Sequence, residues 1–385
     1  MDLKIPEDLR MVQTTIRKFV ETEIIPYERE YHDDYELPDE IRLPLREKVK
    51  SLGLWNLGVP EEFGGGGLDT LGMFLVETET HKTWLTGRIF DTIVFPAMLF
   101  NASDYIKEKY LYPTLNGDLR ISVGLSEPGA AGDLAGITTT ARRDGDNYVI
   151  NGAKLWSGWG YRCDYMIFVA RMEGTQRREG MTHFIVDRST PGFMLDRPVP
   201  MMGYSETSEF HFENCVLPSV NRLTPEGGGW GFAQGVHLAR SRVRNASETL
   251  GPAERALAMA VEYANQRSTF GEPLANRQMV QAKLADSAID IHATRMMMID
   301  IAWKIDNGQD VRYELSMAKV FVPEMAARVI DKSIQIFGAA GYSKDLPLER
   351  LYRDVRAVQI LEGPNDVHRW LVARNLLKGY RKVVE

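Results

Sequence analysis

Tyr148-Val149-Ile150-Asn151-Gly152-Ala153-Lys154-Leu155-Trp156 decides how the chain divides. Strand-forming residues on both sides of an Asn-Gly pair predict strand, two-residue turn and strand, because both turn residues tolerate positive φ. Short strands are expected again at Tyr165 to Ala170, His183 to Val186 and Glu209 to Phe212, with Gly and Pro between them. Outward from this section the pattern becomes helical. On the N-terminal side Leu9, Val12, Ile16, Phe19 and Val20 form one apolar stripe. The run Val59 to Asp69, with four consecutive glycines, interrupts it, and a second helix is expected from about Thr70. On the C-terminal side, beyond Gly227-Gly228-Gly229-Trp230-Gly231, Val280, Leu284, Ala288 and Ile291 step by four, four and three. Met296, Met297 and Met298 continue that helix as core filler. The predicted class is α+β: helical over residues 1–120, β over 121–226 and helical over 227–385, with the two helical sections able to pack as one bundle.

Composition narrows the function. The chain has 385 residues, 26% charged and 44% hydrophobic, with a formal net charge of −7. Those values describe an ordinary globular protein with no general attraction for nucleic acid or anionic membrane. Two cysteines, Cys163 and Cys215, form no CxxC pair, so a reducing compartment is expected. The seven histidines show no metal-binding spacing, and no apolar run reaches membrane-spanning length. The first residues resemble neither a signal peptide nor a transit peptide, which points to the cytoplasm, or to the mitochondrial matrix for a processed chain. No GxGxxG, GxxxxGK[ST] or GxSxG occurs.

Five collinear segments carry a more specific signal. They are Val59-Pro-Glu-Glu-Phe-Gly-Gly-Gly-Gly-Leu-Asp69, Ser126-Glu-Pro-Gly-Ala-Ala-Gly-Asp133 and Asn151-Gly-Ala-Lys-Leu-Trp156, then Gln266-Arg-Ser-Thr-Phe-Gly271 with Gln278. The last comprises Gln335-Ile-Phe-Gly-Ala-Ala-Gly-Tyr342, Arg353-Asp354 and Leu361-Glu-Gly-Pro364. Together they resemble the acyl-CoA dehydrogenase family: its VPEEYGGxGLD, TEPxAGSD, NGxKxW, RxxFG and QxxGGxGY…RD…EGT elements. The ending Glu362-Gly-Pro-Asn-Asp-Val-His368 is similar to the branch that carries EGPDEVH. The resemblance implies an N-terminal helical domain, a middle β-domain and a C-terminal four-helix bundle, usually assembled as a homotetramer. It also implies FAD between the β-domain and the bundle, completed in part by a neighbouring subunit.

Site residues follow from the same resemblance. Glu362 matches the base that removes the α-proton of an acyl-CoA thioester, and the N–H beside it helps hold the carbonyl, with Gly363 next to it. Such a base needs a poorly solvated site, and Ile360, Leu361 and Pro364 suggest an apolar surround. Ser241 stands where other members carry the base, and it cannot serve. Arg242 matches a buttressing arginine of the substrate site. Leu125, Ser126, Trp156 and Ser157 match flavin contacts. Arg267, Phe270, Gln278, Gln335 and Gly338 match contacts to the rest of FAD, an arginine suiting its diphosphate. Three positions depart from the family: Ala131-Gly132 replace Gly-Ser at the substrate or pyrophosphate loop, Gly158 replaces a Thr beside flavin N5, and Ala339 replaces a Gly. Read without the family, each has a plainer explanation, such as a solvated Glu before Gly, a basic helix face, a turn-capping Ser or a core Trp.

The implied reaction takes the α-proton to Glu362 and the β-hydride to the flavin, forms a trans-2-enoyl-CoA, and passes electrons to an electron-transfer flavoprotein. Two rivals stay open: a flavin oxidase or desulfinase on the same fold, and a catalytically idle assembly subunit.

Overall fold

The computed structural model describes residues 5–90, 95–130, 132–203, 205–232 and 238–378. In chain order the helices are α1 (Glu7–Phe19), α2 (Asp39–Ser51), α3 (Thr70–Thr80), α4 (Asp104–Ile106), α5 (Tyr112–Asn116), α6 (Gly229–Phe232) and α7 (Leu238–Gln266). The remainder are α8 (Gln278–Asp306), α9 (Arg312–Phe337), α10 (Ala339–Tyr342), α11 (Leu348–Val358) and α12 (Asn365–Leu377). The strands are β1 (Ile121–Gly124), β2 (Thr140–Asp144), β3 (Asn147–Gly158), β4 (Tyr165–Met172), β5 (Met181–Asp187), β6 (Phe193–Val199), β7 (Thr207–Pro218), β8 (Ser268–Thr269) and β9 (Glu272–Pro273). Two compact units result, one from residues 1–90 with 241–385 and one from 91–240.

The first unit joins the C-terminal helical section to only part of the N-terminal one, since α4 and α5 belong to the second unit. The α1 stripe buries Ile16 and Phe19, and Val20 just beyond it, against Val49 and Val76. Asp69 caps α3, its carboxylate accepting from the Gly72 amide at 2.7 Å, which is why the helix begins where the glycine run ends. Arg350 of α11 is 1% exposed and donates to the carbonyls of His32 and Asp34, tying the C-terminal section to the N-terminal one. Helix α9 runs buried against α8, α11 and α12. On α8 the expected stripe is buried only at Ile291; Val280 and Leu284 are half-buried and Ala288 is exposed. Of the three methionines, Met298 is fully buried and Met296 and Met297 partly so.

The second unit is built on a seven-stranded sheet ordered β1-β4-β2-β3-β7-β6, with β5 on β4. Strand β4 pairs in parallel with β1 and β2 and antiparallel with β5, and is buried almost throughout. One expectation is corrected here. Asn151-Gly152 is not a turn, because β3 runs unbroken from Asn147 to Gly158. It is paired along both edges, Ala141↔Ile150 with β2 and Ala153↔His211 with β7. The tight turn lies at Gly145-Asp146, between the paired Asp144 and Asn147. At Gly152 the ladder to β7 shifts register, and a Cβ there would sit 2.6 Å from the Thr139 Cα. The glycine therefore permits a close crossing within a bulge. Asn151 seals that bulge, its side-chain oxygen accepting from the Asn214 amide at 2.8 Å.

Candidate active site

In the β-unit, the loop bearing Leu125 and Ser126 is fastened to the strand bearing Trp156 and Ser157. Leu155 N donates to Ser126 O at 3.0 Å. The next residue, Glu127, accepts from the Thr138 and Thr139 amides and from Lys154 Nζ at 2.8 Å. Both partners of that ion pair are buried, with side chains 1% and 0% exposed. Burial opposes the Glu127 charge, but Lys154 and the amide donors outweigh it and hold the carboxyl at about 2. The clamp leaves Trp156 projecting, 53% exposed and at a φ of 63°. Ser157 beside it is 1% exposed and its Oγ has no hydrogen-bond partner. At Gly158 an added Cβ would meet nothing within 4 Å. An exposed aromatic ring, an unsatisfied buried hydroxyl and open space on one strand end fit a planar, hydrogen-bonding cofactor such as a flavin. Gly132 is exposed; Ala131 lies outside the described residues.

In the helical unit, Glu362 sits in the turn between α11 and α12, half-buried and at a φ of 54°, followed by Gly363 at 91°. Eight non-glycine residues among those described adopt positive φ, and three of them (Trp156, Phe270 and Glu362) are residues singled out by the family resemblance. Such backbone persists where surrounding structure imposes it, and it gathers at functional sites. Of the apolar neighbours of Glu362, Leu361 and Pro364 are half-buried. Ile360 is 59% exposed, and the Glu362 carboxylate attracts Arg242 and Lys319. Desolvation lowers the Arg242 pKa, and Glu362 works in the opposite direction. Ser241, where other members carry the base, is 4% exposed with an unpartnered hydroxyl.

Three further residues surround this turn, Lys319, Asn365 and His368, to which the sequence alone assigned no role. Lys319 on α9 is 2% exposed, and its Nζ donates to Val358 O at 2.7 Å, to Gly363 O at 3.2 Å and to Asn365 Oδ1 at 3.2 Å. Desolvation lowers its pKa to about 8 while Glu362 pulls it upward. Asn365 opens α12 and donates to Glu324 at 3.0 Å. His368 is 1% exposed, and its Nε2 lies 3.3 Å from Glu362 O. Burial, helped by Arg242, pushes His368 down to about 4, so the ring is neutral near pH 7. A lone lysine in the apolar stretch Ser316-Met-Ala-Lys-Val-Phe-Val-Pro323 was the available clue, since a charge there demands partners.

Further along α7, a polar cluster joins it to α3. Arg244 pairs with Glu248 at 2.9 Å, Asn245 donates to Glu248 at 2.9 Å, and Glu77 of α3 and His81 just after it face them. Burial raises Glu77 to about 7, with Glu248 adding to it and Arg244 opposing.

The remaining expected cofactor residues lie on the surface of the helical unit. Arg267 and Phe270 occupy the β8–β9 hairpin between α7 and α8, and Gln278 opens α8. Gln335 and Gly338 end α9, which the Tyr263–Phe337 stack at 4.1 Å holds against α7. All five are exposed, Phe270 by 98%. Among the described residues no group of three or more His, Cys, Asp or Glu could hold a metal, and no helix is long and apolar enough to cross a membrane. Cys163 and Cys215 are free and buried.

Comparison with known proteins matches three family models in chain order. They are the acyl-CoA dehydrogenase N-terminal domain at residues 6–118, the middle domain at 122–215 and the C-terminal domain at 227–377. The chain is 32% identical to the mitochondrial short-chain specific acyl-CoA dehydrogenase of Rattus norvegicus, covering 98% of this chain and 92% of that protein. It is 33% identical to the 3-(aryl)acrylate reductase of Clostridium sporogenes, covering 97% and 99%. The structure of butyryl-CoA dehydrogenase from Megasphaera elsdenii superposes with a TM-score of 0.87 at 31% identity, covering 98% and 100%. With its helix–sheet–helix order and three matched domains, the chain belongs to the acyl-CoA dehydrogenase family and is a flavoprotein oxidoreductase whose cofactor is FAD.

Proposed function

We propose that this protein removes hydrogen from the α and β carbons of an acyl-CoA thioester to give a trans-2-enoyl-CoA, with Glu362 as the base. The observation that carries the reading is the left-handed Glu362-Gly363 turn beside the buried Lys319 and the half-buried Arg242. An ionised carboxylate held in a fixed position takes the α-proton with little reorganisation. Arg242 and Lys319 are attracted to that carboxylate, and a cation beside a carboxylate favours its charged form. The Glu362 amide and Gly363 border the place where negative charge grows on the thioester oxygen.

When bound, FAD supplies the acceptor for the β-hydride. Leu125, Ser126, Trp156 and Ser157 would hold its ring system, with the Glu127–Lys154 clamp keeping loop and strand in register. Arg267, Phe270, Gln278, Gln335 and Gly338 would hold its nucleotide end, and Gly132 borders the substrate. The near-complete exposure of Phe270 supports a neighbouring subunit covering that surface, and with it a homotetramer. An electron-transfer flavoprotein is the proposed acceptor, and buried free cysteines suit a cytoplasmic setting.

Anaerobic addition of a panel of acyl-CoA thioesters to the yellow protein is the test. One thioester is expected to bleach the flavin in wild type and leave it oxidised in Glu362→Gln. Bleaching in that variant would reassign the base, and oxidised flavin with every thioester would favour an oxidase, a desulfinase or an idle subunit. A reductase among the relatives favours one second reading, net reduction of an enoyl group, in which Glu362 returns a proton to Cα. Consumption of enoyl-CoA by the reduced protein, without the forward reaction at comparable concentrations, would select it.

A further inference from the structure

Two consecutive left-handed residues form an unstable turn unless something imposes it, and the second is glycine while the first carries the chemistry. Here one ammonium bonds to both sides of it. Lys319 has three N–H donors and three acceptors, and these acceptors mark out the turn. Val358 ends the helix before the base, Gly363 follows the base, and Asn365 starts the next helix. Asn365 reinforces the arrangement, its amide donating to Gln359 O at 3.0 Å across the turn.

All three acceptors of Lys319 are neutral, so they satisfy its hydrogens without neutralising a charge that is 2% exposed. The charged groups around it are Glu362 and Glu324, which attract it, and Arg242, which repels it. Glu324 is engaged by Asn365 at 3.0 Å and Arg369 at 2.6 Å. From α8, Asp290 and Asp286 pair with Arg328 and Lys332 further along α9. From α11, Asp354 pairs with Arg350, and from α12, His368 is neutral. Glu362 is thus one counter-charge of this ammonium, shared with Arg242.

We propose that Lys319 is a positioning residue for the base: it clamps the Glu362-Gly363 turn in its left-handed form and sets a positive charge near the Glu362 carboxyl. The proposal rests on Glu362 being the base, and the two can fail separately. Lys319→Met keeps most of the side-chain volume and removes both charge and donors. In the FAD-loaded protein we expect kcat to fall about 10- to 100-fold with KM changed less than about threefold, since the loss concerns orientation and charge at the base. The acidic limb of the kcat–pH profile should move up by about one unit, because a neighbouring cation no longer opposes protonation. Amide exchange in residues 359–366 should quicken about tenfold or more as the turn loosens. Lys319→Arg, which retains charge and donors, should keep the acidic limb in place.

A Lys319→Met protein with the wild-type limb and wild-type exchange would overturn the proposal, as would a Lys319→Arg protein whose limb moves like that of the methionine variant. Should Lys319→Met fail to load flavin, the arginine variant decides, an unmoved limb supporting the clamp and a shifted one rejecting it. Activity in Glu362→Gln would instead remove the base assignment on which the proposal stands.

Discussion

Lys154 Nζ lies 2.8 Å from the Glu127 carboxylate, a buried ion pair that joins the Ser126 loop to the Trp156 strand. Its partners are 27 residues apart in sequence.

Breaking this pair on one side should be worse than removing both charges. Lys154→Met strands a buried carboxylate, and we expect a loss of about 3–5 kcal/mol together with flavin that dissociates on gel filtration. Glu127→Gln combined with Lys154→Met should recover part of that loss. Chemical denaturation and flavin stoichiometry of both variants provide the check, and a double variant no better than Lys154→Met would contradict it.

Ser157 carries the hydroxyl left unsatisfied at the strand end, while Gly158 carries open space. If Ser157 serves the flavin, Ser157→Ala should slow anaerobic flavin reduction by about tenfold or more, the usual scale for losing a hydrogen bond at a reacting centre. Adding Gly158→Thr to that variant should restore part of the rate. Stopped-flow reduction at saturating thioester measures both.

Glu362→Gln should retain substrate binding and lose proton abstraction. The expected fall in reduction rate is about 10² to 10⁴, the range attributed to general-base catalysis. A titration of thioester binding to the oxidised variant, followed by changes in the flavin spectrum, separates that loss from a loss of affinity.

Glu77 should make stability depend on pH. Its folded value of about 7 lies above its ordinary value of 4.5, so its contribution is fully present below about 4.5 and is lost as pH rises through 7. Glu77→Gln should therefore gain about 1–3 kcal/mol over wild type at pH 8, shrinking toward zero near pH 4.5. His368 runs the other way, since its depressed value near 4 weakens the fold as pH falls below about 6.5. For that reason the informative quantity is the difference in denaturation midpoint between Glu77→Gln and wild type, measured across pH 4.5 to 8. A difference that does not vary with pH would refute the assignment.

The sequence alone determined the changes of period. The α1 stripe, the start of α3 at Thr70 and the onset of strand at Ile121 depend on neighbours a few residues away, which local patterning records. The family and its FAD were legible for a related reason, since five short segments in fixed order carry them. What only the tertiary structure decided depends on partners far along the chain. Asn151-Gly152 has the chemistry of a turn, yet pairing with β2 and β7 keeps it extended, and β7 arrives some 60 residues later. Lys319 reads as a stray charge until α11 and α12 bring Val358, Gly363 and Asn365 to it across separations of 39, 44 and 46 residues. The electrostatic surround of Glu362 was likewise invisible locally: its apolar sequence neighbour Ile360 turns outward, and the charges it attracts come from α7 and α9. Periodicity records which face of an element is buried, but a buried polar group is paid for by whatever the fold sets against it.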